Sequence, residues 1–171
     1  MQKKALVVVD IQNDITKNYK DVIDNINTAI DWAVDNEVHV VYIRHEILSE
    51  RTRKFKPNTY GSKLVPDLKI VSENIFVKHE GNALTSDEFA EFIKNNAIEE
   101  FYLTGADATQ CVKSTCFNMR KAGYDVTVLS DCITSWDKKQ IPKMLNYYES
   151  KGSKIMNLDI ETQSYLRTLK V

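Results

Sequence analysis

The sequence predicts an α/β fold of three layers, α/β/α, built on a six-stranded parallel sheet. Three observations carry this. Short apolar runs such as Leu6-Val-Val-Val9 are too uniform for a half-exposed strand and suit parallel strands covered on both faces. Segments with helical spacing alternate with these runs, the pattern of a parallel sheet with right-handed crossovers. The 171 residues, with five glycines and three prolines, suffice for one well-cored domain spanning 1–171 and leave no room for a flexible linker.

Leu6–Val9 is the first strand. Val22 to Asn36 follows with apolar residues at Val22, Ile23, Ile26, Ala29, Ile30, Ala33 and Val34, a helical period. Val38–Ile43 is the second strand. Residues 46–68, which hold Pro57, Gly61 and Pro66, are the least regular stretch. Asn74–Val77 is the third strand. Ser86–Asn96 is a helix with Ser86 as N-cap and Phe89, Ala90, Phe92 and Ile93 facing inward. Glu99–Leu103 is the fourth strand, and Thr109–Ala122 a helix closed by Gly123. Tyr124–Leu129 is the fifth strand, Lys138–Ser150 a helix, Lys154–Met156 a short sixth strand and Glu161–Leu169 a last helical piece. No internal repeat or low-complexity tract breaks the series.

Composition narrows the setting. A net charge of −1 gives no reason to expect nucleic acid or an anionic membrane as partner. No apolar stretch approaches a membrane span. Met1-Gln-Lys-Lys-Ala carries no secretory signal and runs straight into the first strand. Three cysteines, an odd count without close pairing, fit free thiols in a reducing cytoplasm.

Open parallel sheets bind ligands beyond the carboxyl ends of their strands. Past the first strand stands Asp10, and past the second Arg44, His45 and Glu46. Lys78 follows the third, the loop ending at Cys111 the fourth, and Ser130 and Asp131 the fifth. An acid, a base and a thiol thus converge on one rim. Cys111 falls where a helix begins, so the macrodipole should lower its pKa and free N–H groups could bind an oxyanion. The other reading of such a cysteine is a small buried hydrophobe, and position alone does not separate the two. Taken singly, Asp10 could cap a turn and Lys78 could be a solvated surface lysine.

Val-Val-Val-Asp10-Ile-Gln-Asn-Asp14, Lys78 after a third strand, and Thr104-Gly-Ala-Asp-Ala-Thr-Gln-Cys111-Val-Lys-Ser-Thr resemble the isochorismatase-like cysteine hydrolases. That group includes nicotinamidases, N-carbamoyl amide hydrolases and ureide hydrolases. The resemblance covers essentially the whole chain, with Asp131-Cys-Ile-Thr134 and the Gly152–Met156 strand in register. It implies a Rossmann-like sheet of order 3-2-1-4-5-6 and a triad of Asp10, Lys78 and Cys111. Cys111 would attack a carbonyl carbon and form a thioester. Asp10 would take the thiol proton, pass it to the leaving amine and then activate water. Lys78 would hold the Asp10 carboxylate and help polarise the site. The resemblance also implies a cis peptide between Ala106 and Asp107, turning the Asp107 N–H, with that of Cys111, toward the oxyanion. Asp107 would then act through its backbone.

The reaction implied is hydrolysis of a small amide or related C–N bond. The alternatives are vinyl-ether hydrolysis of the isochorismate type, with Asp10 as general acid, and non-catalytic small-ligand binding on the same fold. Ile15 and Leu84 stand where aromatic residues are common in the family, which favours a small aliphatic amide or ureide over a flat aromatic substrate. Nicotinamidases of this group carry an Asp-x-His pair after the second strand and a further His before the third. Here Arg44-His-Glu46 stands there, and His39 and His79 are the remaining histidines. Spacing assembles no three-ligand cluster, so neither metal nor other cofactor is expected. His45, His79 and Gln12 are candidate substrate contacts, and Gln12, Asn13 and Asp14 are expected to fix the Asp10 loop by local hydrogen bonds. Cys116, about 140° round the helix from Cys111, should face the core, and Cys132 should be structural. The basic run Arg51-Thr-Arg-Lys-Phe-Lys56 reads as a solvated loop, the alternative being a substrate-carboxylate or interface role. The family is commonly oligomeric, so a homo-oligomer is expected, with the 46–68 loop and the Trp136 region as contacts.

Overall fold

A computed structural model of the chain describes residues 3–16 and 19–170. Lys4–Val9 forms β1, and Asn13–Thr16 a single helical turn, α1. Lys20–Asp35 is α2 and His39–His45 is β2; Ile75–Lys78 is β3 and Asp87–Asn95 is α3. Glu100–Ala106 is β4, Cys111–Lys121 is α4 and Asp125–Thr134 is β5. Ile141–Ser150 is α5, Lys154–Met156 is β6 and Leu158–Leu169 is α6. The strands pair in parallel in the order β3-β2-β1-β4-β5-β6. This is the sheet order the resemblance implies.

Alternate residues of each strand serve different layers. Val7, Val9, Val41, Ile43, Leu103 and Val128 meet α3, α4 and α5 on one face. Leu6, Val8, Val40, Tyr42 and Tyr102 meet α2 and Leu158 of α6 on the other. Burial on both faces is why the strands read as continuous apolar runs rather than alternating ones. In α2 the stripe Val22, Ile23, Ile26, Ala29, Ile30 and Ala33 is buried, whereas Val34 lies 52% exposed. In α3, Ser86 caps through its side chain to the Phe89 N–H, but Ala90 points to solvent. Phe89 and Ile93, one turn apart, fill the interior face, and the half-buried Phe92 packs beside them against Phe76.

Two differences from the sequence reading bear on the site. First, α4 begins at Cys111 rather than Thr109, because Thr109 bonds back to the Asp107 carboxylate through both its N–H and its hydroxyl. Second, β5 runs five residues past Leu129, to Thr134, after a register shift opposite Leu103 and Gly105 of β4. The polar residues inside that extension made it look like a loop. The Asp131 carboxylate accepts from the backbone N–H groups of Leu158 and Asp159 and caps α6. The α6 helix therefore starts three residues before Glu161, behind Asn157, whose side chain accepts from the Ile160 N–H. Gly105 permits the tightest backbone approach: a Cβ there would stand 2.1 Å from the Val9 carbonyl oxygen.

Candidate active site

Asp10 leaves β1 with φ 55, in the left-handed region, its N–H bonded to the Ile43 carbonyl at 3.0 Å. That turn aims the carboxylate across the top of the sheet, where it is 1% exposed. Lys78 ends β3 and is equally buried, with Nζ 3.2 Å from Asp10 Oδ2. Nζ also donates to the Glu80 carbonyl at 3.0 Å and to Cys111 Sγ at 3.3 Å. Lysine and aspartate are almost never buried unless paired. The pairing, carboxylate against ammonium against sulfur, brings the ends of β1, β3 and α4 to one point.

The Ala106–Asp107 peptide is cis. Among the described residues, neither the Asp107 N–H nor the Cys111 N–H has a hydrogen-bond partner. The Asp107 side chain, by contrast, is fully occupied. Its carboxylate accepts from Thr109 N and Oγ1, from the Trp136 N–H at 2.9 Å and from the Tyr19 hydroxyl at 3.1 Å. Burial alone would raise its pKa; the hydrogen bonds from Thr109, Trp136 and Ser135 outweigh burial and hold it below the ordinary aspartate value.

The thiol corrects the helix-terminus expectation. Burial, and after it the Asp10 carboxylate, push the Cys111 pKa up to about 12, with Lys78 opposing. The sulfur is neutral at rest because a desolvated anion beside a carboxylate costs more than the end of one helix returns. Cys116 and Cys132 are buried as expected, Cys116 against the Ser153 hydroxyl at 3.1 Å.

The remaining sequence candidates divide. His45, half-buried at the end of β2, has Nδ1 3.7 Å from Cys111 Sγ and 3.8 Å from Asp10 Oδ2. His79 is exposed: its ring bonds the Glu46 carbonyl at 2.9 Å, and only its carbonyl turns toward His45. Gln12 is buried and joins strand ends, donating to the His45 and Ser62 carbonyls and accepting from the His45 N–H at 2.8 Å. Nor are its neighbours' bonds local. Asn13 reaches the Tyr60 carbonyl, and Asp14 accepts from the Phe55 N–H at 2.6 Å, so together they strap the 46–68 segment over the rim. Gly61 lies so close to Asp14 that a Cβ would overlap its carboxylate. Ile15 and Leu84 pack against the core. Ser130 and Asp131 are structural: the Ser130 hydroxyl bonds the Met156 carbonyl while Asp131 caps α6.

The sequence reading missed Phe55. Its ring is buried and stacks on His45 with centroids 5.9 Å apart and planes 14° from parallel. The signal was one apolar residue inside the basic run 51–56, whose Arg51, Arg53 and Lys54 are exposed. Spacing also missed that Asp10, His45 and Cys111 bring three potential ligand atoms within 4.8 Å of one another. The Lys78 ammonium, in contact with both the carboxylate and the sulfur, already supplies the positive charge at that point.

Fold and site together define an isochorismatase-like hydrolase. The chain belongs to the isochorismatase family, whose domain matches residues 4–159. It is 26% identical over 140 residues to the isochorismatase family protein YddQ of Bacillus subtilis, covering 77% of this chain and 78% of that protein. An isochorismatase-like hydrolase from Alkaliphilus metalliredigens superposes with a TM-score of 0.85 at 23% identity, over 96% of this chain and 100% of its own. The pyrazinamidase of Pyrococcus horikoshii, solved in complex with zinc, gives 0.81 at 23% identity, over 91% and 99%. At these identities the structures establish the shared fold. No helix among the described residues is long and apolar enough to cross a membrane.

Proposed function

We propose that this chain is a cysteine hydrolase that cleaves a small amide or related C–N bond through a cysteinyl thioester. The observation that carries this reading is the buried contact of Lys78 Nζ with both Asp10 Oδ2, at 3.2 Å, and Cys111 Sγ, at 3.3 Å. In this reading Cys111 is the nucleophile. Its thiol stays protonated until a carbonyl carbon arrives, when the Asp10 carboxylate accepts the proton as the C–S bond forms. The unpartnered N–H groups of Asp107 and Cys111 receive the oxyanion. Asp10 then delivers the proton to the leaving nitrogen, and as a carboxylate again it activates the water that opens the thioester. Lys78 offsets the carboxylate's charge throughout.

The test is ammonia release from a panel of nicotinamide, N-carbamoyl amino acids, ureides and short aliphatic amides, with Cys111→Ala as control. Turnover that disappears in Cys111→Ala supports the thioester route and names the substrate class. Turnover that survives the substitution sinks the thioester route. No release from any member favours vinyl-ether chemistry, in which Asp10 acts as general acid and no nucleophilic sulfur is required, or ligand binding without catalysis.

A further inference from the structure

His45 stands where a proton leaving Cys111 would go. Its Nε2 lies 3.3 Å from the His79 carbonyl oxygen. A carbonyl can only accept, so the ring proton sits on Nε2 and Nδ1 keeps its lone pair. That lone pair is 3.7 Å from Cys111 Sγ and 3.8 Å from Asp10 Oδ2. Lys78 Nζ approaches the same sulfur as a donor at 3.3 Å, which leaves the thiol hydrogen to the two acceptors, Asp10 and Nδ1. Phe55 stacks on the ring and shields it from water. Burial and then Lys78 lower the His45 pKa, against Asp10 and Glu80, while the Glu46 carboxylate is paired with Arg44 at 3.1 Å. The imidazole is therefore neutral at pH 7 and able to accept.

We propose that His45 is a further catalytic residue whose Nδ1 shares with Asp10 the proton released by Cys111. This rests on the reading of Cys111 as the nucleophile. When Nδ1 takes the proton, the S–H bond breaks, an N–H bond forms, and the sulfur electron pair makes the bond to the carbonyl carbon. The imidazolium returns that proton to the leaving nitrogen as the tetrahedral adduct collapses. Asp10 meanwhile stays a carboxylate, ready to deprotonate the attacking water.

A thiol and a neutral imidazole that exchange one proton hold a fixed thiolate fraction at every pH between their two titrations. The experiment is the rate of iodoacetamide alkylation at Cys111, read by mass spectrometry from pH 5 to 10, in the unaltered protein and in His45→Asn. Asparagine keeps a polar atom near Nδ1 but takes up no proton. The unaltered protein should show a level stretch that opens below pH 6.5, where His45 has become neutral, and continues above pH 7.5, short of the Cys111 titration at about 12. In His45→Asn the rate should climb tenfold per pH unit and fall roughly tenfold or more at pH 7.5. A level stretch that persists in His45→Asn overturns the proposal, as does a steady climb in the unaltered protein. The imidazole nitrogen shifts of the unaltered protein give a second reading free of mutation: an unprotonated Nδ1 is expected, and a proton found on Nδ1 overturns it. Alkylation needs no substrate, so failure of the amide panel with the level stretch intact would count against the hydrolase reading and leave the shared proton standing.

Discussion

At the scale of single side chains, the buried Asp10–Lys78 pair ties the candidate site to the stability of the fold. Both groups are desolvated, and each is tolerable because the other is present. Removing one partner of such a pair costs about 3–5 kcal/mol, whereas replacing both with neutral groups can be nearly neutral. Lys78→Met should therefore lower stability by about that amount in urea denaturation, and Asp10→Asn combined with Lys78→Met should recover most of it. Additive losses in the double variant would mean that the two charges do not balance one another. Asp10 and Lys78 were legible in the sequence because each directly follows an apolar strand. His45 was placed on the rim by the same logic, but its approach to the thiol was not legible. The two are 66 residues apart, and only the pairing of β2 with β1 brings His45 beside Asp10.

At the scale of elements, the β4–α4 turn is held by the Asp107 side chain. Sequence reasoning gave that residue a backbone role alone, because the bonds that employ its carboxylate come from Tyr19 and Trp136, far away along the chain. The sign of its pH effect follows from the lowered pKa. A carboxyl group whose folded pKa lies below the unfolded value, about 3.9, adds stability above that value and loses it as pH falls through the folded one. Asp107→Asn should be less stable than the parent at pH 6, and the gap should narrow as pH drops from about 4 toward 2. Urea midpoints at pH 6 and pH 3 measure this, and a gap that stays constant would show that the carboxylate's charge does not hold the turn. The extension of β5 was hidden for a related reason. Ser130 and Asp131 spend their polar groups on β6 and α6, so a central strand carries residues that look solvated.

On the scale of the whole molecule, the site exists only if the sheet is closed at its centre. β1 pairs with β4 across an interval that includes α2, β2, β3 and α3, with Val9 opposite Gly105. Asp10 and the Cys111 loop emerge from these two strands, so the candidate site depends on a contact of very high sequence separation. Strand existence and type could be read locally. Their assembly at one rim followed only from the parallel topology. The two buried cysteines report on that topology from opposite sides: Cys116 packs with α4 and α5 on one face, and Cys132 lies in the cluster with α2 on the other. Both faces share the same strands, so neither layer should melt without the other. Pulse alkylation across a urea series should expose Cys116 and Cys132 at one common midpoint, while Cys111, which is only half-buried, is labelled at lower urea. Midpoints that separate for Cys116 and Cys132 would mean that the helical layers leave the sheet independently. The Asp10–Lys78–Cys111 cluster would then depend on the α3–α5 layer alone.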